Sequence, residues 1–113
     1  DIYPFDYYSF YQLGKLQFEQ QKFTQALEAL TSALRYCDND AMLPLLLELR
    51  GQCHRELHDL KGALADFSQA LKHQPNDPQL HLARAETERE LGMTQQAEIS
   101  YQKARELKST QHP

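Results

Sequence analysis

The chain predicts an all-α fold, a solenoid of three antiparallel helix pairs, and three observations carry that expectation. Apolar residues recur at helical spacing almost throughout the 113 residues, and no stretch alternates as a strand would. A pattern of small and large residues appears three times. It reads Leu13-Gly14, Phe23, Ala26, Leu30, Ala33; then Gly51, Leu60, Ala63, Phe67, Ala70, Pro75; then Ala85, Ala97, Tyr101, Ala104. Ala63 and Ala97 stand 34 residues apart, the period of a helix–turn–helix unit. Such a unit cannot bury its apolar face alone, so it stacks on neighbours, and the stack presents a long concave surface suited to another chain.

Caps and breakers set the six elements. A first helix is expected over about 7–20 with Asp6 as its cap, and a second over about 23–36. The polar segment Cys37-Asp38-Asn39-Asp40 then interrupts the pattern. Asn39 or Asp40 caps a third helix over about 41–57, which places Pro44 in a first turn whose N–H groups lack partners in any case. Asp59 caps a fourth helix over about 60–73. In Pro75-Asn76-Asp77-Pro78, Asp77 caps the fifth helix and Pro78 starts it, where proline is best tolerated. Gly92 ends the fifth helix, Thr94 caps the sixth, and the sixth fades near Lys108. The repeats then occupy about 7–40, 44–77 and 78–108, between an aromatic extension at 1–6 and a tail at 109–113. Ala26 and Ala63 are three residues further apart than Ala63 and Ala97, and the extra residues fall in the 36–43 connection.

Each small residue has a steric role. Where two helices of a pair cross closely, any side chain beyond Ala pushes the axes apart. Gly14, Gly51 and Ala85 are expected to face Ala26, Ala63 and Ala97, with Leu30, Phe67 and Tyr101 filling the space beneath. Ala33, Ala70 and Ala104 return to the same stripe seven residues further on.

Composition excludes several function classes. A net charge of −4 leaves no basic stripe for nucleic acid. No apolar stretch reaches membrane-spanning length, since Pro44 and Glu48 interrupt the nearest one. Cys37 and Cys53 are too few for a disulfide framework and fit two thiols in a reducing, cytoplasmic compartment. There is no glycine-rich phosphate loop, nucleophile elbow or paired-cysteine metal motif, so neither catalysis nor a cofactor is expected. His54 and His58 are four apart beside Cys53 and could in principle hold a metal, but with no second ligand cluster a structural role is favoured. Arg84 with Glu88, and Glu86 with Arg89 and Glu90, read as local pairs on a helix surface.

These residues resemble the tetratricopeptide repeat, whose pattern is an aromatic, Leu-Gly, Tyr, then Ala-x3-Phe and a closing Pro. The first copy has Phe10 and Leu13-Gly14 with Gln17 for Tyr. The second has Leu47, Arg50-Gly51 and His54, then a complete Ala63, Phe67, Ala70 and Pro75. The third has His81, Arg84-Ala85 and Glu88, with Ser109 where Pro would close it. The resemblance covers about 7–108 and is specific for fold rather than function. It implies a right-handed superhelix whose first helices line the concave face. The groove candidates it implies are Tyr8, Tyr11, Gln12, Lys15, Phe18 and Glu19 from the first pair. The second adds Leu45, Glu48, Leu49, Gln52, Arg55 and Glu56, and the third adds Gln79, Leu82, Ala83, Glu86, Arg89 and Glu90. The set holds three basic and five acidic groups, an amphipathic and slightly acidic surface.

One subset of the family holds the C-terminal carboxylate of heat-shock chaperones with a basic, Asn-containing clamp. The matching positions here are Tyr11, Lys15, Leu49, Gln79 and Ala83, and none has the required residue. The expected role is a non-enzymatic adaptor holding a peptide or partner segment by Tyr, Phe and Leu anchors with charged selectors. Alternatives are an assembly element that self-associates through uncapped ends, with Met93, Ile99 and Leu107 partly uncovered, or a recognition module of a larger enzyme. The aromatic segment 1–8 is expected to cap the open end of the first pair, the alternatives being that it lies in the groove or belongs to a neighbouring domain.

Overall fold

The computed structural model describes residues 6–110. The extension ahead of Asp6, with its expected capping role, and the last three residues of the tail lie outside them. Six helices form three antiparallel pairs: α1 (Tyr7–Glu19) with α2 (Phe23–Tyr36), α3 (Leu43–Glu56) with α4 (Leu60–His73), and α5 (Pro78–Glu90) with α6 (Thr94–Thr110). Contacts are densest within each pair. The pairs join through α2 on α3 and α4 on α5, and the body is elongated at 48 × 33 × 21 Å.

Short polar side chains start the helices. Asp6 Oδ1 accepts from the Tyr8 N–H at 3.1 Å, Asp59 Oδ1 from Gly62 at 3.0 Å and Asp77 Oδ1 from Gln79 at 2.9 Å. Two expectations are corrected here. The third helix begins at Leu43 rather than 41, because Asn39 caps a separate 3-10 turn, Asp40–Met42, and α3 follows with Pro44 in its first turn. Thr94 is the first residue of α6 rather than its cap.

Each pair turns through the same C-terminal motif. Gln21, His58 and Gly92 have φ of 64°, 64° and 82°. The N–H of each bonds three residues back, to the carbonyls of Phe18, Arg55 and Arg89, and the next N–H reaches back five, to Gln17, His54 and Glu88. This closes the last carbonyls of each first helix. Only the third copy uses glycine for the left-handed residue.

The core forms two clusters, each spanning a junction between pairs, as stacking requires. Ala26, Leu30, Ala33, Leu46 and Cys53 form one cluster, and Leu47, Ala63, Phe67, Ala70, Leu71 and Leu80 form the next. A Cβ on Gly14 would stand 2.8 Å from Leu30 Cγ, and one on Gly51 would stand 2.7 Å from Phe67 Cε1. The large side chain of the second helix is therefore what a Cβ would meet most closely, and at Gly14 the Ala26 carbonyl oxygen follows at 3.4 Å. Tyr101 departs from its counterparts. Leu30 and Phe67 are fully buried, but Tyr101 is half-buried, since among the described residues no helix stacks beyond α6.

Polar side chains fill matching positions of the second and third pairs. Arg50 makes two 2.8 Å bonds to the buried Asp66 carboxylate, and His54 Nε2 lies 3.6 Å from Asp66. One period later, Ser100 donates to the buried Glu88 at 2.7 Å and accepts from Arg84 at 3.3 Å. Glu88 is thus an interior group bonded across to α6, which corrects its reading as half of a surface pair. At the corresponding place in the first pair stands Gln17, whose Oε1 is buried without a partner.

Candidate binding groove

A concave cleft of about 480 Å³ lies between α3 and α5, closed on one side by Phe18 of α1. Helical periodicity explains how it forms. Glu48, Gln52, Arg55 and Glu56 recur at three- and four-residue steps on α3, and Gln79, Leu82, Ala83, Glu86 and Glu90 do so on α5. All ten of these side chains, Phe18 included, belong to the groove set expected from the sequence. His58, at the left-handed turn after α3, also lines the cleft. Helical periodicity assigns it no groove role, because it stands in the turn beyond the end of α3.

A second, shallower cleft of about 300 Å³ runs along α1 past Tyr8, Tyr11, Gln12, Lys15, Leu16 and Glu19. Tyr8 is 47% exposed, and its ring centroid lies 5.7 Å from that of Tyr11. Three expected groove residues line neither cleft. Leu45 is exposed on α3, Leu49 packs toward the cluster around Leu30 and Leu46, and Arg89 points to solvent.

The electrostatics of the larger cleft differ from the local pairs read in the sequence. Glu86 and Glu90 do not turn to Arg89. They hold Arg55 of the preceding pair, Glu86 at 3.4 Å and Glu90 closer still. Two helical turns before Arg55, burial raises the Glu48 carboxyl above its ordinary value, and the negative charge of Asp77 raises it further. On the far side of α3, the hydrogen bond to Asp66 raises the Arg50 guanidinium. Cys53 is fully buried, and desolvation followed by the charges of Asp66 and Glu56 pushes its thiol up to about 11.

His54 lies between two carboxylates. Its Nδ1 is 3.0 Å from Asp59 Oδ2, a contact by distance that lacks hydrogen-bond alignment. Among the described residues no three His, Cys, Asp or Glu side chains converge as metal ligands, and no helix is long and apolar enough to cross a membrane. His81, at the aromatic position of the third repeat, is buried with Nε2 2.7 Å from the Pro75 carbonyl oxygen.

Profiles of the tetratricopeptide repeat match residues 8–39 and 44–77, together more than half of the chain. Tetratricopeptide repeat protein 16 of Mus musculus is 37% identical over 78 residues, which is 67% of this chain and 10% of that protein. The chain thus spans about a tenth of the length of that relative. Among solved structures, a crystal structure of MamA superposes with a TM-score of 0.86 at 15% identity, over 95% of this chain and 61% of that one. The PcrH chain, in complex with the chaperone binding region of PopB, gives 0.85 at 24% identity over 94% and 83%. The first repeat domain of Spaghetti (RPAP3), bound to the HSP90 peptide SRMEEVD, gives 0.82 at 20% identity over 90% and 79%. At these identities the likeness establishes a shared fold.

Proposed function

Because the chain belongs to the tetratricopeptide repeat family, we propose that it is a non-enzymatic interaction scaffold that seats a peptide or partner segment in the cleft between α3 and α5. The observation that carries this reading is the cleft itself, a hollow whose lining combines the apolar Phe18, Leu82 and Ala83 with charged side chains from two successive pairs. Apolar anchors with charged selectors are what recognition of a short segment needs. PcrH and Spaghetti, of the same fold, are seen with a protein region and a peptide bound. Catalytic chemistry, nucleic acid and membrane have no place in this reading. A groove of this size supports micromolar affinity, about −8 kcal/mol.

The test is capture from a lysate with mass spectrometry, comparing wild type with Tyr8→Ala and with Gln52→Trp, which fills the cleft. Partners retained by wild type and lost by Gln52→Trp, at unchanged circular dichroism, support groove recognition. The same partners on all three proteins would count against it.

A second reading, self-association through the ends of the stack, draws on Ile99 and Met93, which are 64% and 38% exposed on the last pair. Sedimentation across concentration decides it, since a monomer at the highest concentration removes the idea.

A further inference from the structure

The charge of the cleft specifies the charge of its occupant. Four carboxylates stand around it, Glu48 and Glu56 from α3 and Glu86 and Glu90 from α5. Among the lining residues Arg55 is the one guanidinium, and Glu86 and Glu90 already hold it. Glu48 and Glu56 make no ion pair among the described residues. Asp77 adds a further negative charge close enough to act on Glu48. Arg55 also shows what the hollow accepts, a planar cation spanning two carboxylates within a partly desolvated space. On α1, the half-exposed Tyr8 ring beside Tyr11 offers a second surface of the same preference, since aromatic faces attract guanidinium groups. An acidic segment here would set like charges together where water is partly excluded, which disfavours it strongly.

Resting on the groove reading above, we propose that the occupant is a basic segment, whose Arg or Lys side chains reach Glu48 and Glu56 while an apolar side chain sets against Leu82 and Phe18. Its attraction weakens with salt, as pairing between partly exposed charges does.

Fluorescence anisotropy with three labelled peptides tests this: alternating Arg and Leu, alternating Glu and Leu, and alternating Gln and Leu. The Arg peptide is expected to bind, and Glu48→Gln/Glu56→Gln to weaken it about tenfold or more. Glu98→Gln/Glu106→Gln, on the exposed side of α6 and with the same change in net charge, is expected to shift it less than about twofold. Equal weakening by the two double variants would reduce the effect to bulk attraction and overturn the proposal. Binding of the Glu or Gln peptide as tight as that of the Arg peptide, abolished by Gln52→Trp, would overturn the basic occupant and leave the groove reading standing. Binding by none of the three also overturns it, and the lysate comparison then judges the groove reading separately.

Discussion

Gly51 and Phe67 touch so closely that a Cβ on the glycine would stand 2.7 Å from the ring. Helix α3 thereby lies directly on the Phe67 ring of α4, and the second pair closes around a fully buried aromatic. Gly51→Ala improves helix propensity by about 1 kcal/mol. It also drives a methyl into the ring, and overpacking of that kind costs about 1–3 kcal/mol. The expected outcome is a net loss of stability in urea unfolding. Phe67→Ala loses more, about 3–5 kcal/mol, and Gly51→Ala/Phe67→Ala loses less than the sum of the two.

The three left-handed turn residues make a graded set. Gln21 and His58 hold φ of 64° with a Cβ, a conformation that disfavours all but glycine. Gly92 adopts 82°, and a Cβ added to it would meet nothing within 4 Å, so backbone strain alone opposes a side chain there. Gln21→Gly and His58→Gly are expected to stabilise by about 0.5–1 kcal/mol each, and Gly92→Ala to destabilise by about 1 kcal/mol. Thermal unfolding of the three variants checks the signs.

The Cys53 thiol, pushed up to about 11, ionises in the unfolded chain before it does in the folded one. Its contribution is therefore complete below about pH 9 and disappears as pH rises through 11, on the order of 2 kcal/mol. Unfolding measured at pH 8 and pH 11 should show this loss, and Cys53→Ala should lack that part of it. At pH 8 iodoacetamide followed by mass spectrometry should label Cys37, which is half-exposed, well before the buried Cys53.

Glu48 carries a cost of the same sign at lower pH. Its carboxyl is raised by burial and by Asp77, so near pH 4 folded and unfolded chains both hold the proton and little separates them. As pH rises to 7 the unfolded chain gains more from ionisation, and the native state is penalised. Glu48→Gln should match wild type in thermal stability at pH 4 and equal or exceed it at pH 7. A variant clearly less stable at pH 7 would contradict this account.

The frame of the fold is legible in the sequence because its signals are local or strictly periodic. Asp6, Asp59 and Asp77 cap where they stand, and the alanines at 26, 63 and 97 mark one register. The 3-10 turn ahead of Leu43 is hidden, because Asn39 and Pro44 suit one continuous helix as well as a turn and a helix. Interactions one repeat apart are hidden more deeply. Arg55 meets Glu86 and Glu90 only after the pairs stack, although opposite charges at concave positions one period apart could have announced it. Glu88 looks like a surface acid until Ser100 is seen beside it, 12 residues away, at the place of Asp66 in the preceding repeat. Helical face alone points Leu45 and Arg89 toward the groove, yet neither lines either cleft.

The Arg55 link spans the open side of the stack, opposite the seams where α2 meets α3 and α4 meets α5. The seams are closed by buried apolar side chains, whereas this link is partly open to solvent, so dissolved ions weaken it while leaving the packed seams in place. Rising ionic strength therefore frees Glu86 and Glu90 from Arg55 before it disturbs the stack, and gives the cleft two more carboxylates for a guest.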